Sequence, residues 1–173
     1  TLLEPGYSQE VVATYSPSAQ IGWSTFGNNG YLYITAASDS RIYQIAPDGQ
    51  VSTLTSDVPN PRGIVWAGGT EFGDALYVVN YETWGGGVKK VDTDGTVKHY
   101  GSMPSGGHAP VPLGLDRIGD YDGAMYTASG GQDHTYKMTE DGTISKFTNW
   151  PGWTDSASPS DIQFDHSGIF GNG

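Results

Sequence analysis

The sequence predicts an all-β chain built from repeated four-stranded antiparallel units, and three observations predict it. Tyrosine-bearing strands, their partner strands and Asp-Gly turns recur with one period of about 47 residues. Apolar and polar residues alternate within each recurring strand, and no window carries a sustained apolar i, i+3, i+4 pattern with helix caps. Glycine supplies 26 of the 173 residues, double the usual usage of about 7%, and it lies among aromatic and β-branched residues.

Each unit opens on a short apolar strand, at 20 to 23, 61 to 66, 112 to 116 and 159 to 165. On this reading Ile21, Ile64, Leu115 and Ile162 are equivalent, spaced 43, 51 and 47, and Trp66 repeats Trp23 as a core residue. A Gly/Asn/Asp turn leads to the tyrosine strand, where Tyr33, Tyr77 and Tyr126 are 44 and 49 apart. A loop and a second alternating strand follow, with Ile45, Val91 and Met138 spaced 46 and 47. Asp48-Gly49, Asp94-Gly95 and Asp141-Gly142 keep those same spacings and close hairpins onto a last strand, because glycine supplies the positive φ that a tight turn demands.

Four-stranded units at this period are blades of a β-propeller. One blade cannot bury both its faces, so blades stack on their neighbours and the ring closes. A ring of four to eight blades needs roughly 190 to 380 residues, which makes this chain about three and a half blades of a larger ring. The expected organisation is a single partial domain over residues 1–173, with blades starting near 18, 61, 112 and 159. Phe170 and Gly173 match Phe72 and Ala75, so the fourth copy stops inside its first hairpin. The expected partner is the rest of the propeller, as a continuation, a second chain or a symmetry mate.

The formal charge of −11 opposes nucleic acid or an anionic membrane as partner, and no apolar run reaches the length of a membrane span. Without cysteine there is no disulfide, thiolate zinc site or cysteine nucleophile. A start at Thr1 without Met fits a mature exported chain, so a secreted, periplasmic or extracellular location is expected.

At its blade landmarks the chain resembles the six-bladed propellers of the gluconolactonase/senescence-marker-protein class and the related NHL-repeat and virginiamycin B lyase-like propellers. The matching residues are the Pro-x-Gly starts (Pro61, Gly63, Ile64; Pro112, Gly114, Leu115), the Leu-Tyr strands, Arg41 to Ile45, and the Pro-Asp-Gly turn at 47 to 49. The resemblance implies a six-bladed ring and, for its lactonase members, a divalent metal held over the axial channel by Glu, Asn and Asp. Here Ala19 and Arg62 stand where the Glu and Asn are sought, and Ala36, Asn80 and Ser129 where the Asp is sought.

Ligands of propellers gather at the channel mouth where the innermost strands begin, and repeat arithmetic places Arg62, Asn80, Ser129 and His134 there. Arg62, aligned with Ala19 and Leu113, is the sharpest candidate, since a guanidinium can clamp a carboxylate; an ion pair with Asp57 or Glu82 is the alternative. His134 follows Asp133, which suits a general acid or base. His108, in a Gly-rich connection, and Trp84, in another, are further ligand candidates. Asp116, Asp120 and Asp122 form the densest acidic group and are expected as calcium ligands, with Asx-turn chemistry as the alternative. The functional expectation is a secreted ligand- or protein-binding module for recognition or assembly, stabilised by calcium. The alternative is a metal-dependent lactonase or lyase with part of its site in other blades.

Overall fold

Asp48, Asp94 and Asp141 each accept a hydrogen bond from the backbone N–H two residues on, at 3.0, 2.9 and 3.0 Å. The glycine after each takes a left-handed φ of 85°, 87° or 82°, so the three Asp-Gly turns are copies of one structure. They belong to the computed structural model, which describes residues 11, 14, 19–81, 86–104, 110–129, 134–149 and 161–164.

Among the described residues the chain forms three four-stranded antiparallel sheets. The first contains β1 (Ile21–Phe26), β2 (Leu32–Ala36), β3 (Arg41–Ile45) and β4 (Val51–Thr55). The second contains β5 (Pro61–Trp66), β6 (Leu76–Asn80), β7 (Gly87–Val91) and β8 (Val97–Ser102). The third contains β9 (Pro110–Leu115), β10 (Met125–Ser129), β11 (His134–Met138) and β12 (Ile144–Asn149). Strands run in chain order across each sheet. The first strands β1, β5 and β9 contact one another in turn, which places the common axis along them. This is a partial β-propeller.

Register confirms the middle landmarks. Tyr33, Tyr77 and Tyr126 are each the second residue of their strand, opposite Gln44, Lys90 and Lys137. Ile45, Val91 and Met138 pair with Leu32, Leu76 and Met125.

The first strands correct the sequence alignment. Each carries a one-residue bulge, between Ile21 and Ser24, Pro61 and Ile64, or Pro110 and Leu113. Past the bulge Ser24, Ile64 and Leu113 are equivalent, opposite Ile34, Val78 and Thr127. Trp66 therefore matches Phe26 and Leu115, not Trp23, and the third blade begins at Pro110 rather than Pro112. The outer strands repeat a second bulge, whose extra residues are Leu54, Tyr100 and Phe147.

The core lies between sheets rather than within them. Leu76 and Val78 of β6 enter a cluster with Tyr33, Ile42, Val58, Ile64 and Trp66, while Tyr77 and Val79 enter another with Leu113, Leu115, Met125 and Met138. Alternate residues of one strand thus feed the cores on both its faces, and each fully buried aliphatic side chain contributes roughly 1.5–3 kcal/mol. Neighbouring blades also meet through the Asp-Gly turns. A Cβ on Gly95 would strike the Leu54 carbonyl, and one on Gly142 the Tyr100 carbonyl. Residues 161–164 continue the pattern: Phe164 lies 5.6 Å from the Tyr126 ring, and a Cβ on Gly114 would meet Ile162.

Candidate functional site

The starts of β1, β5 and β9 share one end of the blades with the ends of β2, β6 and β10, since Ile21 pairs with Ala36, Pro61 with Asn80 and Pro110 with Ser129. The strands β3, β7 and β11 then run from this mouth end to the Asp-Gly turns at the other.

Asn60, at φ 44°, delivers the chain into β5. Its N–H donates to Ser40 Oγ of the first blade at 3.3 Å, and its side-chain amide to the Tyr81 carbonyl at 3.3 Å. Tyr81 N–H returns a bond to the Asn60 carbonyl at 3.1 Å. This exchange fixes Tyr81 immediately beside the entry to β5.

Arg62 occupies the bulge of β5, and bulges re-aim side chains. Its register equivalents are Gly22 and Val111, which replace Ala19 and Leu113 of the sequence alignment. The guanidinium carbon lies 5.3 Å from the centre of the Tyr81 ring, a cation–π distance. Nε is buried with no hydrogen-bond partner among the described residues. Among the described residues no carboxylate pairs with Arg62; Asp57 does not, and Glu82 lies outside them.

Asn80 ends β6 beside Arg62, yet it is only 2% exposed. Its Oδ1 accepts the Gly87 N–H at 3.1 Å, which ties the end of β6 to the start of β7. Ser129 holds the same place in the third blade, with its backbone between Pro110 and His134.

His134 starts β11 at this end, and its Nε2 lies 2.7 Å from Lys146 Nζ. A lysine ammonium only donates, so Nε2 accepts and the ring proton sits on Nδ1. That Nδ1 is buried without a partner among the described residues. Sequence reasoning missed Lys146, which pairs with Tyr136 and so lies two residues along the same face from His134. His108, Trp84 and Asp133 lie outside the described residues.

The acidic group divides its work at the opposite end. Asp116 is 1% exposed and accepts four backbone N–H bonds, from Ile118 (3.2 Å), Gly119 (3.1 Å), Tyr121 (2.7 Å) and Gly123 (2.9 Å). Burial pushes its pKa up, but these four donors together outweigh burial and hold it below the ordinary carboxylate value. They occupy the lone pairs a calcium ion would need. Asp122, at φ 61°, instead pairs with Lys137 at 2.5 Å, and Asp120 is exposed. Among the described residues no three His, Asp or Glu side chains are gathered closely enough to hold a metal ion. Asp116 thus fits the loop-organising alternative.

The fold defines the class, a partial β-propeller. No protein-family model matches the chain, and no curated protein matches it. Among solved structures it is similar to a catalytically inactive variant of virginiamycin B lyase from Staphylococcus aureus with quinupristin: TM-score 0.64, 19% identity, over 79% of this chain and 43% of that one. A gluconolactonase from Xanthomonas campestris gives TM-score 0.63 at 14% identity, over 76% of this chain and 48% of that one. A structural-genomics target proposed to be a gluconolactonase gives 0.65 at 15%, over 91% and 57%. The chain spans 43% to 57% of these three structures, and the likeness is one of fold.

Proposed function

We propose that this chain is part of an exported propeller that works as a recognition module and binds its ligand at the mouth where Arg62 stands. The observation that carries the reading is the Arg62 bulge: a cation with no carboxylate partner among the described residues, laid on Tyr81, at the end where the first strands begin. Asn80 and Asn60 hold the surrounding backbone, so the mouth keeps its shape before any ligand arrives. Calcium has no part at this mouth in the reading, because Asp116, Asp120 and Asp122 lie at the other end.

Amide chemical shifts mapped during a fragment screen test it. Binders should move the signals of Asn60, Arg62, Tyr81 and His134. Binders that move only Gly49, Gly95 and Gly142 would overturn the assignment.

A second reading is favoured by the likeness to the lyase and gluconolactonase structures. In it the chain supplies part of a metal-dependent lactonase or lyase whose remaining donors come from other blades. A longer protein that opens lactones only with a divalent metal would support this reading over the first.

A further inference from the structure

We propose that Arg62 and Tyr81 form a subsite for a monocarboxylate carried on a flat apolar body. The inference rests on the mouth assignment above and names the chemistry of the ligand. Arg62 is half-buried and its Nε is fully buried, while the terminal nitrogens are not among the buried atoms left without a partner. Two terminal N–H groups match the two oxygens of a carboxylate. Leaving a buried donor without a partner is costly, and the fold accepts that cost here while holding the guanidinium on an aromatic ring.

The neighbouring blades show that this is not a requirement of the fold. The bulge itself recurs in all three, yet the positions of Arg62 are Gly22 and Val111 in the other two. The backbone groups freed by the bulge are satisfied there by hydroxyls. Thr35 Oγ1 takes the Trp23 N–H at 3.0 Å, and Thr127 Oγ1 donates to the Pro112 carbonyl at 2.6 Å. A cation is thus added in one blade only, at a position that bulge geometry does not need charged.

Tyr81 defines the remainder of the ligand. Tyr81 is 41% exposed although its backbone is fixed on both sides by Asn60, so an aromatic residue stands partly open beside the guanidinium. The chain's net charge of −11 repels multiply charged anions and leaves a monoanion as the favoured class.

The test follows the Arg62 Nε–H and Tyr81 ring signals by NMR during titration with benzoate, benzamide or phenyl phosphate. Saturable shifts with benzoate are expected, with benzamide and phenyl phosphate at least ten-fold weaker. Arg62→Gln should abolish the benzoate response, and Arg62→Lys, which keeps the charge and loses the fork, should weaken it at least five-fold. Lys98→Gln, which removes an exposed cation paired with Asp92, should leave it unchanged. An equal response to benzamide, or benzoate binding retained in both Arg62 variants, would overturn the subsite. Neutral binders that still map to Asn60 and Tyr81 would overturn it while leaving the mouth as the binding end. Preference for phenyl phosphate would replace the carboxylate assignment.

Discussion

Phe26 and Trp66 hold the same place in successive blades, opposite Leu32 and Leu76, yet Phe26 is 71% exposed and Trp66 is 3% exposed. The difference is the neighbour. Trp66 stacks on Tyr33 of the blade before it, with ring centres 6.0 Å apart, whereas Phe26 stands out from its face, on which Ile34, Ala36 and Ile45 are buried. Phe147, the bulge residue of the last sheet, is likewise 52% exposed, while its equivalents Leu54 and Tyr100 pack against the inter-blade cores. Among the described residues, the large apolar side chains left exposed thus include one from each terminal sheet.

Substitution reads this asymmetry directly. Trp66→Ala should lower the free energy of unfolding by about 3–5 kcal/mol, the range for a buried aromatic. Phe26→Ala should stay within about 0.5 kcal/mol. Equal losses in urea titrations would mean that the Phe26 side chain is itself packed.

Two glycines separate backbone strain from close approach. Gly69 and Gly95 have φ of 84° and 87°, but a Cβ on Gly69 meets nothing within 4 Å, whereas one on Gly95 meets the Leu54 carbonyl. Gly69→Ala should cost about 1–2 kcal/mol from left-handed strain alone. Gly95→Ala should cost more, because it also forces the second blade off the first. Thermal unfolding of the two variants gives the comparison.

Asp116 predicts a pH dependence with a definite sign. Its folded pKa lies below the ordinary Asp value, so the unfolded chain binds the proton more readily. The stabilisation is complete above about pH 5, one unit over the unfolded value of roughly 3.9, and is lost as pH falls through the lower folded value. Asp116→Asn removes the charge and part of the N–H acceptance, with an expected cost of about 1–3 kcal/mol at pH 7. The gap between wild type and variant should close toward pH 2. A gap independent of pH would place the effect in packing rather than in the carboxylate.

The hairpin landmarks were legible because tyrosine, an apolar strand end and Asp-Gly impose the same local chemistry each time: Tyr77 and Tyr126 even donate to the carbonyls of Phe72 and Tyr121, each five residues back, at 2.8 and 2.9 Å. First-strand register was not legible. In the third blade an error of two residues, from Pro110 to Pro112, leaves every side chain on its own face, so alternation cannot detect it. In the first blade the bulge absorbs one residue of a shift of three, which made Ile21 look like Ile64. Arg62 was legible as an isolated charge at a strand start. The Tyr81 ring beneath it was not, since that contact depends on the bulge and on the Asn60 exchange.

Arg62 and Tyr81 share one end of the blades, with Gly30, Gly49 and Gly69 at the other. The chain has no cysteine, so Ser38→Cys, in the turn between β2 and β3, accepts a single nitroxide. Strands of five or six residues separate the two ends by about 17–20 Å. Paramagnetic broadening should be strong at Arg62 and Tyr81 and weak at Gly30, Gly49 and Gly69. Stronger broadening at those glycines than at Arg62 would contradict the arrangement.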